Sequence, residues 1–259
     1  MTNLTSFPRV NVLGVGISAI NLDLALGAFE QAIAEKRKGY ICVTGVHGVM
    51  EAQKDEELRH IFNRSYLTTP DGMPMVWAGR LAGHSEMSRV YGPDLMLLLC
   101  ERSREKGYSH FLLGGKEGVA PELKCRLEKR FPGLKIVGTY TPPFRPLVAA
   151  EEEDLIRRIG EVKPDIIWVG ISTPKQERFM AKYGDRLDAT LLVGVGAAFD
   201  FHTGRLRQAP PWIQRSGFEW LFRLGCEPRR LWRRYLLNNP LFLLNSFFQI
   251  TGFKKYHLE

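Results

Sequence analysis

The chain has 259 residues and a formal net charge of +8, with 44% hydrophobic and 25% charged residues. That balance is ordinary for a globular protein and excludes disordered, collagen-like and coiled-coil classes. No run of about 18 uninterrupted apolar residues occurs, so no transmembrane helix is expected, and MTNLTSFPRV lacks the basic stretch and apolar core of a signal peptide.

In chain order, residues 10–17 (VNVLGVGI) read as a buried strand. Asn21 caps a helix that runs to about Lys38 and stops at Gly39. Residues 40–44 (YICVT) form a second strand, and helical patterns follow around 49–53 and 56–63. A short strand at 66–69 ends in the turn Pro70-Asp71-Gly72, followed by helices at 74–81 and 93–106. Beyond it, strands at 110–113, 135–139, 165–171 and 190–195 alternate with helices at 119–130, 149–161 and 175–182. Apolar strands separated by helices predict an α/β fold, a mostly parallel sheet with helices on both faces and right-handed crossovers. No strand is expected after 195. Residues 210–217, 218–225 and 227–237 read as short helices, Asn238-Asn239-Pro240 as a break, and 241–250 as a final apolar helix.

Charge divides the chain at the same place. Residues 204–259 hold eight Arg and two Lys against three acids, a net +7, together with eleven aromatic residues; residues 1–203 carry only +1. We therefore expect a core over 1–203 and a basic, aromatic helical appendage over 204–259. Arginine beside aromatic rings suits an anionic lipid surface or nucleic acid. It also suits a helix pair packed on the core with snorkelling side chains, and the aromatic residues equally suit contacts between copies of the chain. Cys42, Cys100, Cys125 and Cys226 are scattered without a CxxC pair, which argues against structural zinc and disulfides and for a reducing, cytosolic compartment.

In open α/β sheets ligands bind beyond the carboxyl ends of the strands. Polar and glycine residues gather at those ends: Gly14-Val15-Gly16, residues 44–48, 68–72, 114–116, Thr139-Tyr140, 170–177 and 194–200. GVGISA at 14–19 resembles a dinucleotide fingerprint loosely, with Ala19 at the third glycine position, and helix–strand packing explains it better. Asp71 has two readings: a carboxylate that accepts a proton from an attacking hydroxyl, or a turn residue bonding its own backbone. Gly114-Gly115 opens a helix whose amides suit a phosphate or simply make a turn; no Walker A loop is present. In STPKQE (172–177), capping accounts for four residues and leaves Lys175 and Gln176 at the crevice mouth, suited to a phosphate and a sugar hydroxyl. His47, His84, His110 and His202 show no metal-ligand spacing, and there is no GxSxG nucleophile motif.

Seven segments in order carry a resemblance: VTGVHGVMEA (43–52), TTPDGMPMVWAGR (68–80), RVYGPDL (89–95), FLLGGKEG (111–118), VGISTPKQERFM (169–180), VGVGAAFDFHTG (193–204) and APPWIQRSGFEWLFRLGCEPRRLWRRY (209–235). Together they resemble the WecG/TagA/CpsF glycosyltransferases over roughly 10–236. The resemblance implies a Rossmann-like core and a C-terminal appendage that serves membrane binding and the active site. It implies inverting transfer from a UDP-sugar to a polyprenyl-diphosphate-linked sugar at the cytoplasmic face of the bacterial inner membrane. Asp71 takes the family's proposed base position. Thr44, His47, Arg89, Gly114, Gly115, Lys175 and Gln176 fall among substrate-binding positions, and Arg215, Arg223, Arg229 and Arg230 are candidates to close over the donor diphosphate. Val46 stands where family members with a TPN-type motif carry Asn, with His47 next, which hints at a subgroup using a different sugar, of the exopolysaccharide type. Arginine can stabilise a leaving diphosphate without a metal, so no metal or other cofactor is expected. Two readings from other classes stand beside this one: a nucleotide-dependent oxidoreductase, and a nucleic-acid-binding module that uses the basic tail.

Overall fold

A computed structural model describes residues 7–258. Its strands are β1 (Arg9–Val12), β2 (Val15–Ser18), β3 (Gly39–Thr44), β4 (Leu67–Pro70), β5 (Ser109–Gly114), β6 (Lys135–Tyr140), β7 (Ile166–Gly170) and β8 (Leu191–Gly194). The helices are α1 (Leu22–Ala34), α2 (Val46–Ala52), α3 (Glu56–Arg64), α4 (Met73–Leu81), α5 (Gly92–Lys106), α6 (Val119–Arg130), α7 (Ala149–Val162), α8 (Lys175–Tyr183), α9 (Ala198–His202), α10 (Pro211–Ser216), α11 (Glu219–Cys226) and α12 (Pro228–Ile250). Six strands stand in the order β4-β3-β8-β7-β5-β6. The pairs β3–β8, β8–β7, β7–β5 and β5–β6 are all parallel, which meets the α/β expectation. The described residues form two compact units: one holds 7–25, 43–91 and 207–258, the other 26–42 and 92–206.

In the unit of residues 26–42 and 92–206, α6 packs on β5 and β6, and α8 on β7 and β8. Ile166, Ile167, Trp168, Val169, Leu191 and Val193 are fully buried. Strands covered on both faces have no polar alternation, which is why they were legible as continuous apolar runs. Helix α9 was not foreseen; residues 194–200 read only as the polar, glycine-rich end of a strand.

The other unit begins with a strand pair. Residues 10–17 are not one strand but an antiparallel hairpin that pairs Arg9 with Ser18 and Val12 with Val15, in a two-stranded sheet of its own. Leu13 and Gly14 form the turn with φ of 52° and 82°, the positive-φ pair that matches strand twist in a two-residue hairpin. Val10, Val12, Leu13, Val15 and Ile17 are all buried, so the apolar run hid the reversal. Gly14-Val15-Gly16 therefore lies in a hairpin and not at the end of a parallel strand, and the fingerprint reading of GVGISA loses its strand–turn–helix context. Asn21 does cap α1, accepting from the Leu24 amide at 3.0 Å, but the helix ends at Ala34, four residues early.

Asn238-Asn239-Pro240 does not break the chain. Helix α12 runs straight through it, with Pro240 inside. Leu231, Tyr235, Asn238 and Phe242 are its buried residues. Their spacing of four, three and four makes one continuous stripe, and that packing outweighs the roughly 3 kcal/mol cost of an interior proline. The stripe packs beside α2. Gln249, near the C-terminal end of α12, fastens to the hairpin: its Oε1 accepts from the Leu13 amide at 3.0 Å and its Nε2 donates to the Asn11 carbonyl at 2.9 Å. Among the described residues no helix is long and apolar enough to cross a membrane.

Candidate active site

Strands β3 and β4 deliver the first group of site residues. Thr44 ends β3, and its carbonyl accepts from the Asp71 amide at 3.0 Å. The Thr44 hydroxyl is buried and makes no hydrogen bond. Asp71 follows β4 directly, with Gly72 as N-cap of α4. A Cβ placed on Gly45 would stand 3.8 Å from Asp71 Oδ2. Glycine at 45 thus leaves the space beside the carboxylate open.

Arg89 reaches this turn from the segment after α4. Its Nε donates to the Asp71 backbone carbonyl, its Nη1 to Gln214 Oε1 at 3.1 Å, and its Nη2 to Glu219 Oε2. Its guanidinium lies 4.0 Å from the Tyr91 ring centre. Burial works against the Arg89 charge, but Asp71, Glu219 and Tyr91 outweigh it and hold the pKa above the usual arginine value. The Tyr91 phenol is pushed up by burial, then by Glu219 and Asp71, so it remains a donor, to Glu219 Oε1 at 3.1 Å. Arg89 was expected to meet a phosphate; in this structure three of its N–H directions serve protein acceptors.

The tail arginines separate by burial. Arg215 and Arg229 are exposed. Arg230 is exposed and bidentate to Glu227, at 2.7 and 2.6 Å. Arg223 is half-buried, 3.9 Å from the same carboxylate. Arg234, which sequence reasoning missed, has a buried Nε without a hydrogen bond. Burial lowers its pKa, helped by Arg223 and Arg230 and opposed by Tyr235 and Asp71. Its signal was available: it stands four residues after Arg230 and next to Tyr235 on the buried stripe. Glu219 was also missed, although an acid in so basic a segment is conspicuous. His47, on α2, has its Nδ1 3.4 Å from Asn238 Nδ2 and 3.9 Å from Glu51 Oε1.

The remaining predicted residues lie in the other unit. Gly114 (φ 134°) ends β5, where a Cβ would come within 2.6 Å of the Gly170 backbone. Close strand approach therefore requires glycine there. The Gly115 amide donates to the Gly170 carbonyl at 3.0 Å. Lys175 is exposed, while Gln176 is buried. Gln176 Oε1 accepts from the Gly196 amide at 3.0 Å, and its Nε2 donates to Glu177 Oε1 at 3.0 Å. That amide is oriented by the loop after β8, where the sequence suggested a side chain at a crevice mouth.

An α/β sheet with a carboxylate and arginines at the end of a strand defines the class, an α/β protein with an acid–arginine site. The profile of the Glycosyl transferase WecG/TagA/CpsF family matches residues 10–256, and the chain belongs to that family of glycosyltransferases. Two relatives carry the name N-acetylglucosaminyldiphosphoundecaprenol N-acetyl-beta-D-mannosaminyltransferase. The one from Bacillus spizizenii (strain ATCC 23059 / NRRL B-14472 / W23) is 29% identical over 208 residues, 80% of this chain and 79% of the relative. The one from Bacillus subtilis (strain 168) is 30% identical over 188 residues, 71% of this chain and 70% of the relative.

Proposed function

We propose that this chain moves a sugar from a UDP-sugar to a polyprenyl-diphosphate-linked saccharide, with inversion at the anomeric carbon, in bacterial surface polysaccharide synthesis of the exopolysaccharide type. The relatives' names, which specify a sugar carried on diphosphoundecaprenol, support the acceptor class. The observation that carries the reading is Asp71, placed just past the end of β4 with Arg89 bonded to its carbonyl and Arg234 in its electrostatic field. In a single displacement the acceptor hydroxyl oxygen bonds to the anomeric carbon while the bond to the UDP oxygen breaks. The hydroxyl proton passes to the Asp71 carboxylate. Negative charge grows on the departing diphosphate, and arginines are suited to meet it without a metal.

The acceptor's lipid lies in a membrane, and the tail offers a means of reaching it. Trp212, Phe218, Leu243, Phe247, Ile250 and Phe253 are exposed in the segment that carries a net +7. Exposed apolar side chains among arginines fit an anionic bilayer surface, which supports peripheral association with a membrane; the location we propose is the cytoplasmic face of the inner membrane. The test is release of UDP from a panel of UDP-sugars with a lipid-diphosphate-sugar acceptor. Asp71→Asn should lower turnover by about 10²–10⁴-fold and keep donor binding; near-normal turnover would remove Asp71 from the base role.

A further inference from the structure

We infer that Glu219, on the basic tail, is a positioning residue for Asp71 and acts through Arg89; this rests on the reading of Asp71 as the base. The peptide around Asp71 is held on each side. Its amide donates to the Thr44 carbonyl at 3.0 Å, and the Pro70 carbonyl accepts from the Val90 amide at 2.9 Å. Both of those bonds are made by backbone. The Asp71 carbonyl is instead held by a side chain, the Nε of Arg89, so its placement depends on where the guanidinium is fixed.

Two tail residues fix it. Glu219 spends one oxygen on Arg89 Nη2 and the other on the Tyr91 hydroxyl, at 3.1 Å. Gln214 donates its Nε2 to the Ala209 carbonyl at 2.7 Å, which turns its Oε1 toward Arg89 Nη1 at 3.1 Å. The Arg89 guanidinium carbon also lies over the Tyr91 ring, 4.0 Å from its centre. The side chains of Arg89 and Glu219 are each only 15% exposed, so neither charge is free to turn to water. Without Glu219 a poorly hydrated arginine must find another acceptor, and the Asp71 carbonyl moves with it. A misplacement of about 1 Å at a reacting group costs on the order of 10²-fold in rate. Glu219 does not need to touch either substrate for this.

The experiment measures kcat and KM for both substrates in the full chain carrying Glu219→Ala, Glu219→Gln, Arg89→Ala, the Arg89→Ala/Glu219→Ala double change, and Asp71→Asn. Glu219→Ala is expected to lower kcat about 10–100-fold with each KM within about twofold. Glu219→Gln, which keeps an acceptor for Nη2, should recover part of that loss. The double variant should turn over no more slowly than Arg89→Ala alone, because one residue acts through the other. Wild-type kcat in Glu219→Ala, a raised KM with unchanged kcat, or losses that multiply in the double variant would each overturn the proposal. Should Glu219→Ala fail to fold by circular dichroism, Glu219→Asp takes its place, since the shorter side chain withdraws its carboxylate from Arg89 Nη2 and the Tyr91 hydroxyl, and a wild-type kcat there overturns the relay. An active Asp71→Asn would bring down the base reading itself, whereas an inactive one beside a wild-type Glu219→Ala would bring down only the relay.

Discussion

The indole Nε1–H of Trp168 donates to Nδ1 of His110 at 2.9 Å, and the two rings are parallel within 1°. Because Nδ1 accepts, the His110 proton sits on Nε2, which is buried without a partner. Burial pulls the His110 pKa down to about 4, against a smaller upward pull from Asp165. The unfolded chain therefore binds this proton from about pH 6.5 downward, while the folded chain binds it only near 4. Stability should fall by about 3 kcal/mol as pH drops through that window and should be fully present above it. Urea unfolding of the wild type and of His110→Leu from pH 7 to 4 checks this. The variant starts lower, having orphaned the Trp168 N–H, and should show the shallower pH slope; equal slopes would contradict the assignment.

Gln249 is the fastening between α12 and the N-terminal hairpin. Gln249→Ala leaves the Leu13 amide and Asn11 carbonyl without their partner and should cost about 2–3 kcal/mol. A thermal melt lowered by several degrees is the expected reading, and an unchanged melt would show that water replaces the side chain. By the same contacts, deletion of 204–259 should destabilise the hairpin and α2 along with removing the tail.

Point changes are therefore the sharper probe of membrane association. Replacing Trp212, Phe247 and Ile250 together by serine removes exposed apolar surface and should shift the melting temperature by no more than about 5 °C. Sedimentation with phosphatidylglycerol vesicles should drop about tenfold or more, and wild-type binding should weaken as salt rises. Undiminished co-sedimentation of the triple variant would move the membrane contact elsewhere.

Burial orders the tail arginines. Arg234→Ala should slow turnover by about 10²-fold, while Arg215→Ala and Arg229→Ala, at exposed positions, should stay within about threefold of wild type. Steady-state UDP release separates these outcomes. In the same assay a chelator should leave the rate unchanged; loss restored by Mg²⁺ or Mn²⁺ would refute metal-free departure of the diphosphate.

Much of the fold was legible from local pattern. Strands β5 to β8 and helices α5 to α8 stand where apolar runs and Gly or Pro punctuation put them; β5, β7 and β8 are buried along nearly their whole length, and a strand covered on both faces is marked by its own residues. Asp71 was legible as a carboxylate just past a strand because Pro70 and Gly72 punctuate the chain on either side of it. The hairpin was not: Val10, Val12, Leu13, Val15 and Ile17 are buried on either side of its turn, and only a two-residue reversal of positive φ distinguishes it from a single strand.

Residue types, their local periods and the split of charge at 204 belong to the sequence by itself, since each follows from neighbours along the chain. The order β4-β3-β8-β7-β5-β6, the passage of α12 through Pro240, and the meeting of Arg89 with Glu219 belong to the tertiary structure. Each of these joins residues distant in sequence, or sets a local preference against burial elsewhere, and burial is worth more than the propensity it overrides.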